Sequence, residues 1–369
     1  MRIVHLSDIH LSKDNYTDFI NDYKDALIND LIQYNNSTKI DVILITGDLV
    51  DKGGHSLYEI EGFDKHEQYP NPYYIFEEIF INPIIEALNF NKNNFLFIPG
   101  NHDIDENSIL LREEYQIVKN LNTKNISQHL QENNIDFKHS KRIKNFKEFE
   151  EKFHRNNTKY NPTKNQSTYF YDYNNSVRIG FLMVNDSWRC KSIKLKEDKE
   201  KMFFGMQQLY DGLQELNREK TIINIALFHH SKENFEEEEE IEGFLTRKEI
   251  DLMLYGHYHS TRSEFYLNSF GNCHVFRGKA SLLKPGETHK DYLPGYQVMD
   301  LDLIVNKITK IHYRVFNDKP ISKSFIADNT VAENGIDENN ATGKQGYKFN
   351  RIKTEKTGYS LLNKEEFKS

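Results

Sequence analysis

RIVHLSDIH, Arg2 to His10, is a short apolar run rich in β-branched residues that closes on an aspartate and a histidine. Such a run predicts a buried strand, and the polar pair marks its end. DVILITGDLV, Asp41 to Val50, repeats the pattern and closes on Asp48. Between the two, Phe19, Tyr23, Leu27 and Leu31 recur at a spacing of four, which is an amphipathic helix. Strand, helix and strand in so short a span form a βαβ unit, so Ile3–Leu6 and Val42–Ile45 should run parallel. The next cycle follows in YYIFEEIFINPIIEAL, a helical pattern kinked near Pro83, and in the strand FLFIPG, Phe95 to Gly100.

After Asp105 the pattern loosens. Residues 106–166 are charged and helical in pattern, clearest in FKEFEEKFHR, and read as an insertion or cap laid over the main fold. STYFYDY, VRIGFLMVND, TIINIALFHH and DLMLYGHYH resume the strands, with GMQQLYDGLQEL as a helix between them. HVFRGKASLL, GYQVMDLDL and KITKIHYRVF look like closing antiparallel strands. The expected organisation is one α/β domain over residues 1–317 and a polar tail or linker over 318–369, partly disordered and a candidate route to a protein partner or fused domain.

Composition narrows the classes. At 369 residues, with 13% aromatic and 28% charged residues, the chain can bury a large core beneath a polar surface. It has no run of 18 apolar residues, so no membrane span is expected, and its N-terminus reads as a strand, not a secretory signal. Two cysteines, Cys190 and Cys273, make no disulfide framework and no Cys-based zinc site, which points to a reducing cytoplasm. The net charge of -8 and the run Glu236 to Glu240 argue against a nucleic-acid backbone as partner.

The chemistry sits at the strand ends. The apolar runs close on SDIH (Asp8, His10), GDLVD (Asp48, Asp51), GNHD (Asn101, His102, Asp103), FHH (His229, His230) and GHYH (His257, His259). In an open α/β sheet, ligands bind beyond the carboxyl ends of the strands. Singly, each block has an ordinary reading: a Gly-Asp is a turn or helix cap, and a double His is a hydrogen-bonded pair. Five such blocks, each at a strand end and each rich in nitrogen and oxygen donors, have no simple structural explanation.

In order and type, these blocks resemble the motif set of the calcineurin-like metallophosphoesterases over about residues 1–315. The resemblance implies a two-sheet β-sandwich flanked by helices and a dinuclear metal centre. One ion would take Asp8, His10 and His259, the other Asn101, His229 and His257, and Asp48 would bridge them. The choice between His229 and His230 stays open. A donor set without thiolate suits Mn, Fe or Zn. The implied reaction is phosphoester hydrolysis by a hydroxide that two metals make available near neutral pH. His102 would protonate the leaving oxygen, and Asp103 would set its tautomer. Asp51 would orient a ligand imidazole, His5 would pack in the first strand, and Lys52, Arg189 and Lys279 are cations to consider for the phosphate. The expected substrate is a small phosphodiester such as a cyclic nucleotide. The alternatives are a phosphomonoesterase or protein phosphatase, then a nuclease, and outside enzymes a scaffold or sensor module.

Overall fold

A computed structural model describes residues 1–65, 67–174, 177–190, 202–247, 250–268, 271–287, 292–319, 321, 323–338 and 347–349. Two mixed sheets face each other. The first is built on β1 (Arg2–Leu6), β2 (Val42–Thr46) and β3 (Phe95–Ile98). These are mutually parallel, with Ile3 opposite Val42 and Ile43 opposite Phe95. β11 (Gly295–Asp302) pairs antiparallel with β1, and the sheet continues to β12 (Lys307–Asn317) and β13 (Ser324–Ala327).

The second sheet has the order β4 (Tyr160–Pro162), β5 (Ser167–Tyr173), β6 (Val177–Met183), β7 (Ile223–Leu227), β8 (Leu252–Tyr255), β10 (Gly271–Arg277) and β9 (Arg262–Asn268). From β6 to β8 and on to β10 the strands are parallel. HVFR therefore joins the second sheet, parallel to β8 and antiparallel only to β9.

Alternation along each strand divides the apolar side chains between three layers of packing. Ile3, Val42, Leu44 and Leu96 point inward to meet Phe181, Ile225 and Leu254 of the opposite sheet. Val4, Ile43, Ile45 and Phe97 point outward to helices that cover the first sheet. Those helices include α1 (Lys13–Asp18), α2 (Lys24–Ser37), α3 (Pro72–Phe76) and α4 (Asn82–Leu88). The last two are parts of one rod whose turns widen over Glu77–Ile81, just before Pro83 removes an N–H donor.

Residues 106–166 contain α5 (Leu111–Asn120), α6 (Ile126–Asp136) and α7 (Lys144–Phe153). Phe146, Phe149 and Phe153 of α7 are buried against Phe97 and Tyr73, so this stretch is anchored in the same core. Over the second sheet lie α8 (Gln207–Arg218) and α9 (Glu238–Arg247).

The stretch after Asp318, expected to be loose, is in part structural. Phe325 in β13 is buried against Tyr23, Tyr296 and Phe316, which gives that short strand an apolar anchor. Residues 339–346 and 350–369 lie outside the described residues. Among the described residues no helix is long and apolar enough to cross a membrane.

Candidate metal centre

The parallel strands deliver their polar ends to one place. Asp8 and His10 follow β1, Asp48 follows β2, Asn101 follows β3, His229 follows β7, and His257 and His259 follow β8. Asp8, His10 and His259 present donor atoms within 4.8 Å of one another, as do Asp8, Asp48 and His229, and likewise His229, His230 and His257. Asp48 thus shares a cluster with residues of both prospective sites.

The backbone is bent to achieve this. Asp8, His10, Asp48, His257 and His259 all have left-handed φ, at 51, 49, 54, 73 and 55°. Side chains other than glycine seldom adopt this conformation, and such strain, on the order of 1 kcal/mol or more per residue, gathers at functional sites. Space is equally tight. A Cβ on Gly100 would lie 2.2 Å from Oδ1 of Asp48, so only glycine lets the β3 turn approach that carboxylate.

Protonation tests whether these residues suit a cation. Nδ1 of His229 lies 2.8 Å from the carbonyl oxygen of Thr46, which can only accept, so Nδ1 carries the hydrogen. In a neutral ring Nε2 is then a bare lone pair, yet it faces Oδ1 of Asn101 at 3.0 Å and Oδ2 of Asp48 at 3.3 Å. Three electron-rich atoms meet with no hydrogen between them unless His229 carries a second proton or a cation sits there. Burial opposes a charged His229, yet Asp48, Asp8 and Asp186 together push its pKa up to about 10. The second cluster has the same character. Nε2 of His10 is 3.4 Å from Nε2 of His259 and 3.6 Å from Oδ2 of Asp48, while Nε2 of His259 is 3.6 Å from Oδ1 of Asp8. Burial holds the pKa of His10 down to about 3, so its ring is a neutral donor. The residues therefore suit two divalent ions.

The histidine pair after β7 divides its work. His229 turns to Asn101 and Asp48, while His230 has Nδ1 3.3 Å from Asp186 and Nε2 3.9 Å from Sγ of Cys190. Asp186 also accepts the backbone N–H groups of both histidines, at 2.9 and 2.8 Å. The sequence reading missed this residue, although it is a carboxylate just beyond β6 and could have been found by the same strand-end signal.

His102 is placed beside the centre, its ring 4.5 Å from that of His10 and its backbone N–H donating to Asp48 at 2.7 Å. Its partner differs from the expected one. Nδ1 of His102 is 2.6 Å from Oδ1 of Asp51, not of Asp103. Asp103 is buried and accepts from the backbone N–H groups of Gly100 (2.8 Å), Leu49 (3.1 Å) and Val50 (3.2 Å), and its backbone carbonyl accepts from the Tyr73 hydroxyl. The physical reason is the tight turn that begins at Gly100, which Asp103 closes by donating its N–H to the Gly100 carbonyl; consecutive side chains then point opposite ways. Burial and Asp48 push the Asp103 carboxyl up to about 7, against the pull of those N–H groups. Burial and the Lys284 ammonium disfavour charge on His102, but its hydrogen bond to Asp51 and the field of Asp48 raise its pKa above the ordinary value.

The other candidate cations are mostly committed elsewhere. Arg189 is buried and bonded to Glu114 at 2.7 Å, together with Arg142, and Lys279 pairs with Asp328 at 2.5 Å. Lys52 is exposed, 3.7 Å from Asp51. His5 is buried in β1 with Nε2 2.8 Å from the Thr46 hydroxyl. Two residues that no motif pointed to border the centre: Lys284, with Nζ 3.0 Å from Nε2 of His102, and Glu287, with Oε1 3.4 Å from Nδ1 of His259.

A family model described as calcineurin-like phosphoesterase matches residues 1–261. An uncharacterized metallophosphoesterase-like protein of Bacillus subtilis, YydB, is 24% identical over 370 residues, covering 99% of this chain and 67% of the relative. Among solved structures, the NAD nucleotidase NadN of Haemophilus influenzae aligns with 89% of this chain at 12% identity and a TM-score of 0.44; the chain spans 60% of that protein's length. The calcineurin-like phosphoesterase YfkN of Bacillus subtilis aligns with 88% of this chain and 89% of its own at 13% identity and a TM-score of 0.42.

Proposed function

The chain belongs to the calcineurin-like phosphoesterase family, and from that premise we propose that it is a metal-dependent phosphoester hydrolase whose ligands are Asp8, His10 and His259 on one side, Asn101, His229 and His257 on the other, and Asp48 between. The observation that carries this reading is the meeting of Nε2 of His229 with Asn101 and Asp48, a place that favours positive charge and that a proton or a metal ion can fill. Divalent ions there, Mn, Fe or Zn by the donor set, supply Lewis acidity that activates water and offsets phosphoryl charge.

The remaining work falls to the chain. Thr46 and Glu287 accept from His229 and His259 on the side away from the cluster, which orients both rings and raises their basicity. Asp51 holds His102 with Nδ1 protonated and Nε2 turned outward, where it can hand a proton to a departing alkoxide once it carries one.

Within this chemistry the preferred substrate is a small phosphodiester carrying a single negative charge. Arg142, Arg189 and Lys279 are tied to carboxylates, leaving few cations to receive a dianion. A net charge of -8 also disfavours a long polyanion. The burial of Cys190 and Cys273 agrees with a cytoplasmic home. The test is a parallel assay of Mn-loaded protein against a monoester, a linear diester, cyclic nucleotides, and single- and double-stranded nucleic acid. Turnover confined to the small diesters is expected. Faster turnover of the monoester or of nucleic acid would replace the diester reading, and inertness toward all of them would replace the enzyme with a scaffold.

A further inference from the structure

Lys284 stands apart from the other cations near the centre. Its ammonium lies 3.0 Å from Nε2 of His102. An ammonium can only donate, so Nε2 must accept, and Nδ1 of the same ring donates to Asp51 at 2.6 Å. His102 is therefore held as the neutral Nδ1–H tautomer with its outward lone pair covered by Lys284. While it is covered, Nε2 has no hydrogen to offer a leaving oxygen.

The backbone of Lys284 is tied to the centre at several points. The N–H of Ser281 donates to the carbonyl of Ser7 at 2.7 Å, and the N–H of Ser7 donates to the hydroxyl of Ser281 at 3.1 Å. The side-chain amide of Asn15 donates both to the carbonyl of His10 at 3.0 Å and to that of Leu283 at 3.1 Å. Tyr292 donates its hydroxyl hydrogen to the carbonyl of Leu282 at 2.9 Å, and the N–H of Glu287 closes a turn onto the carbonyl of Lys284 at 3.0 Å. The residues on either side of Asp8 and His10 thus fix where Lys284 starts, and its half-buried side chain runs inward from there. A neutral imidazole is a modest partner for an ammonium. An anionic phosphoryl oxygen is a stronger one, because it adds the attraction of opposite charges to the hydrogen bond that the ammonium donates to either acceptor.

We propose that Lys284 is a substrate-binding residue whose ammonium leaves Nε2 of His102 for a non-bridging oxygen of the incoming phosphoryl group, so that one movement both receives negative charge and uncovers His102. This rests on the phosphoesterase reading and adds to it a residue outside every strand-end motif. It also makes the exposure of His102 depend on an anion at the site, so that the ring is covered when no substrate is bound.

The experiment uses full-length, Mn-loaded protein and the variants Lys284→Met, Lys284→Gln and Lys284→Arg. Inorganic phosphate binding is measured by calorimetry, and steady-state hydrolysis with bis(p-nitrophenyl) phosphate, whose good leaving group needs no acid and so separates binding from the role of His102. Met and Gln should each weaken phosphate binding and raise KM by about tenfold or more, the loss expected for one charge-assisted contact, while kcat stays within about threefold. Arg should recover most of both. Phosphate affinity and KM within about twofold of wild type, in variants that keep wild-type metal content and thermal midpoint, would overturn the proposal. Loss of metal in both neutral variants with Arg normal would make Lys284 a strut and overturn it too. Wild-type protein that turns over no phosphoester yet binds phosphate through Lys284 refutes the hydrolase reading alone, whereas active wild type with unchanged variants refutes Lys284 alone.

Discussion

Two aspartates compete for one role beside His102, and replacing each by asparagine should separate chemistry from stability. Oδ1 of Asp51 is 2.6 Å from Nδ1 of His102, and its Oδ2 lies 3.7 Å from the exposed Lys52 ammonium. Asparagine there still accepts the Nδ1 hydrogen through its amide oxygen but brings no charge to support an imidazolium. Losing such an outer partner typically costs 10- to 100-fold, or about 1.4 to 2.7 kcal/mol of transition-state stabilisation. Asp51→Asn should therefore lower kcat on an alkyl diester by about that factor, change a p-nitrophenyl diester little, and leave the thermal midpoint in place.

Asp103 lives in a different environment. Its two oxygens accept from the N–H groups of Gly100, Leu49 and Val50, and all three of these residues are buried. An asparagine amide turns one acceptor into a donor facing donors, at a cost of about 1 to 3 kcal/mol, and alanine strands all three N–H groups for roughly 3 to 5 kcal/mol. Asp103→Asn should lower the thermal midpoint by a few degrees, and Asp103→Ala by on the order of 5 °C or more. Paired melting curves and alkyl-diester kinetics decide the matter. An Asp103→Asn protein of normal stability that loses alkyl-diester activity, beside an Asp51→Asn protein of normal activity, would refute this assignment.

A pH-dependent term is expected from His154, whose ring stacks on Tyr160 at 3.7 Å with both nitrogens buried and without a hydrogen-bond partner among the described residues. Burial first, then Lys92 and Lys147, hold its pKa down to about 3, so the unfolded chain takes up a proton near pH 6.5 that the folded chain refuses. The stability it contributes is complete above pH 6.5 and falls with pH down to about 3; at pH 5 the loss is about 2 kcal/mol. His154→Phe should gain about that much in urea denaturation at pH 5 relative to pH 8, and an equal effect at both pH values would exclude the burial argument. Gly100→Ala places a Cβ 2.2 Å from Oδ1 of Asp48 and should leave fewer than two ions per chain by elemental analysis. Gly243→Ala, where a Cβ in α9 meets nothing within 4 Å, should retain full metal content and gain a few tenths of a kcal/mol or more.

What the sequence disclosed and what it hid divide along one physical line. A strand end is local: an apolar run, a turn and a polar side chain are contiguous, so SDIH and GHYH announce Asp8, His10, His257 and His259 before any fold is known. The left-handed backbone that aims four of these residues is not local, because aspartate and histidine adopt it only when the surrounding structure enforces it. Adjacency in the chain misled at Asp103, since a tight turn sends neighbours to opposite sides, and the partner of His102 came from another strand end. The tail misled for a related reason: SFIA is too short to show a period, and its place in the sheet depends on Phe325 meeting Tyr23 and Tyr296 from distant segments. Asp186, Lys284 and Glu287 follow the same logic. Each acts through a ring supplied by a different strand end, so its role exists only once those strand ends have been brought together, within the second sheet for Asp186 and Glu287 and between the two sheets for Lys284.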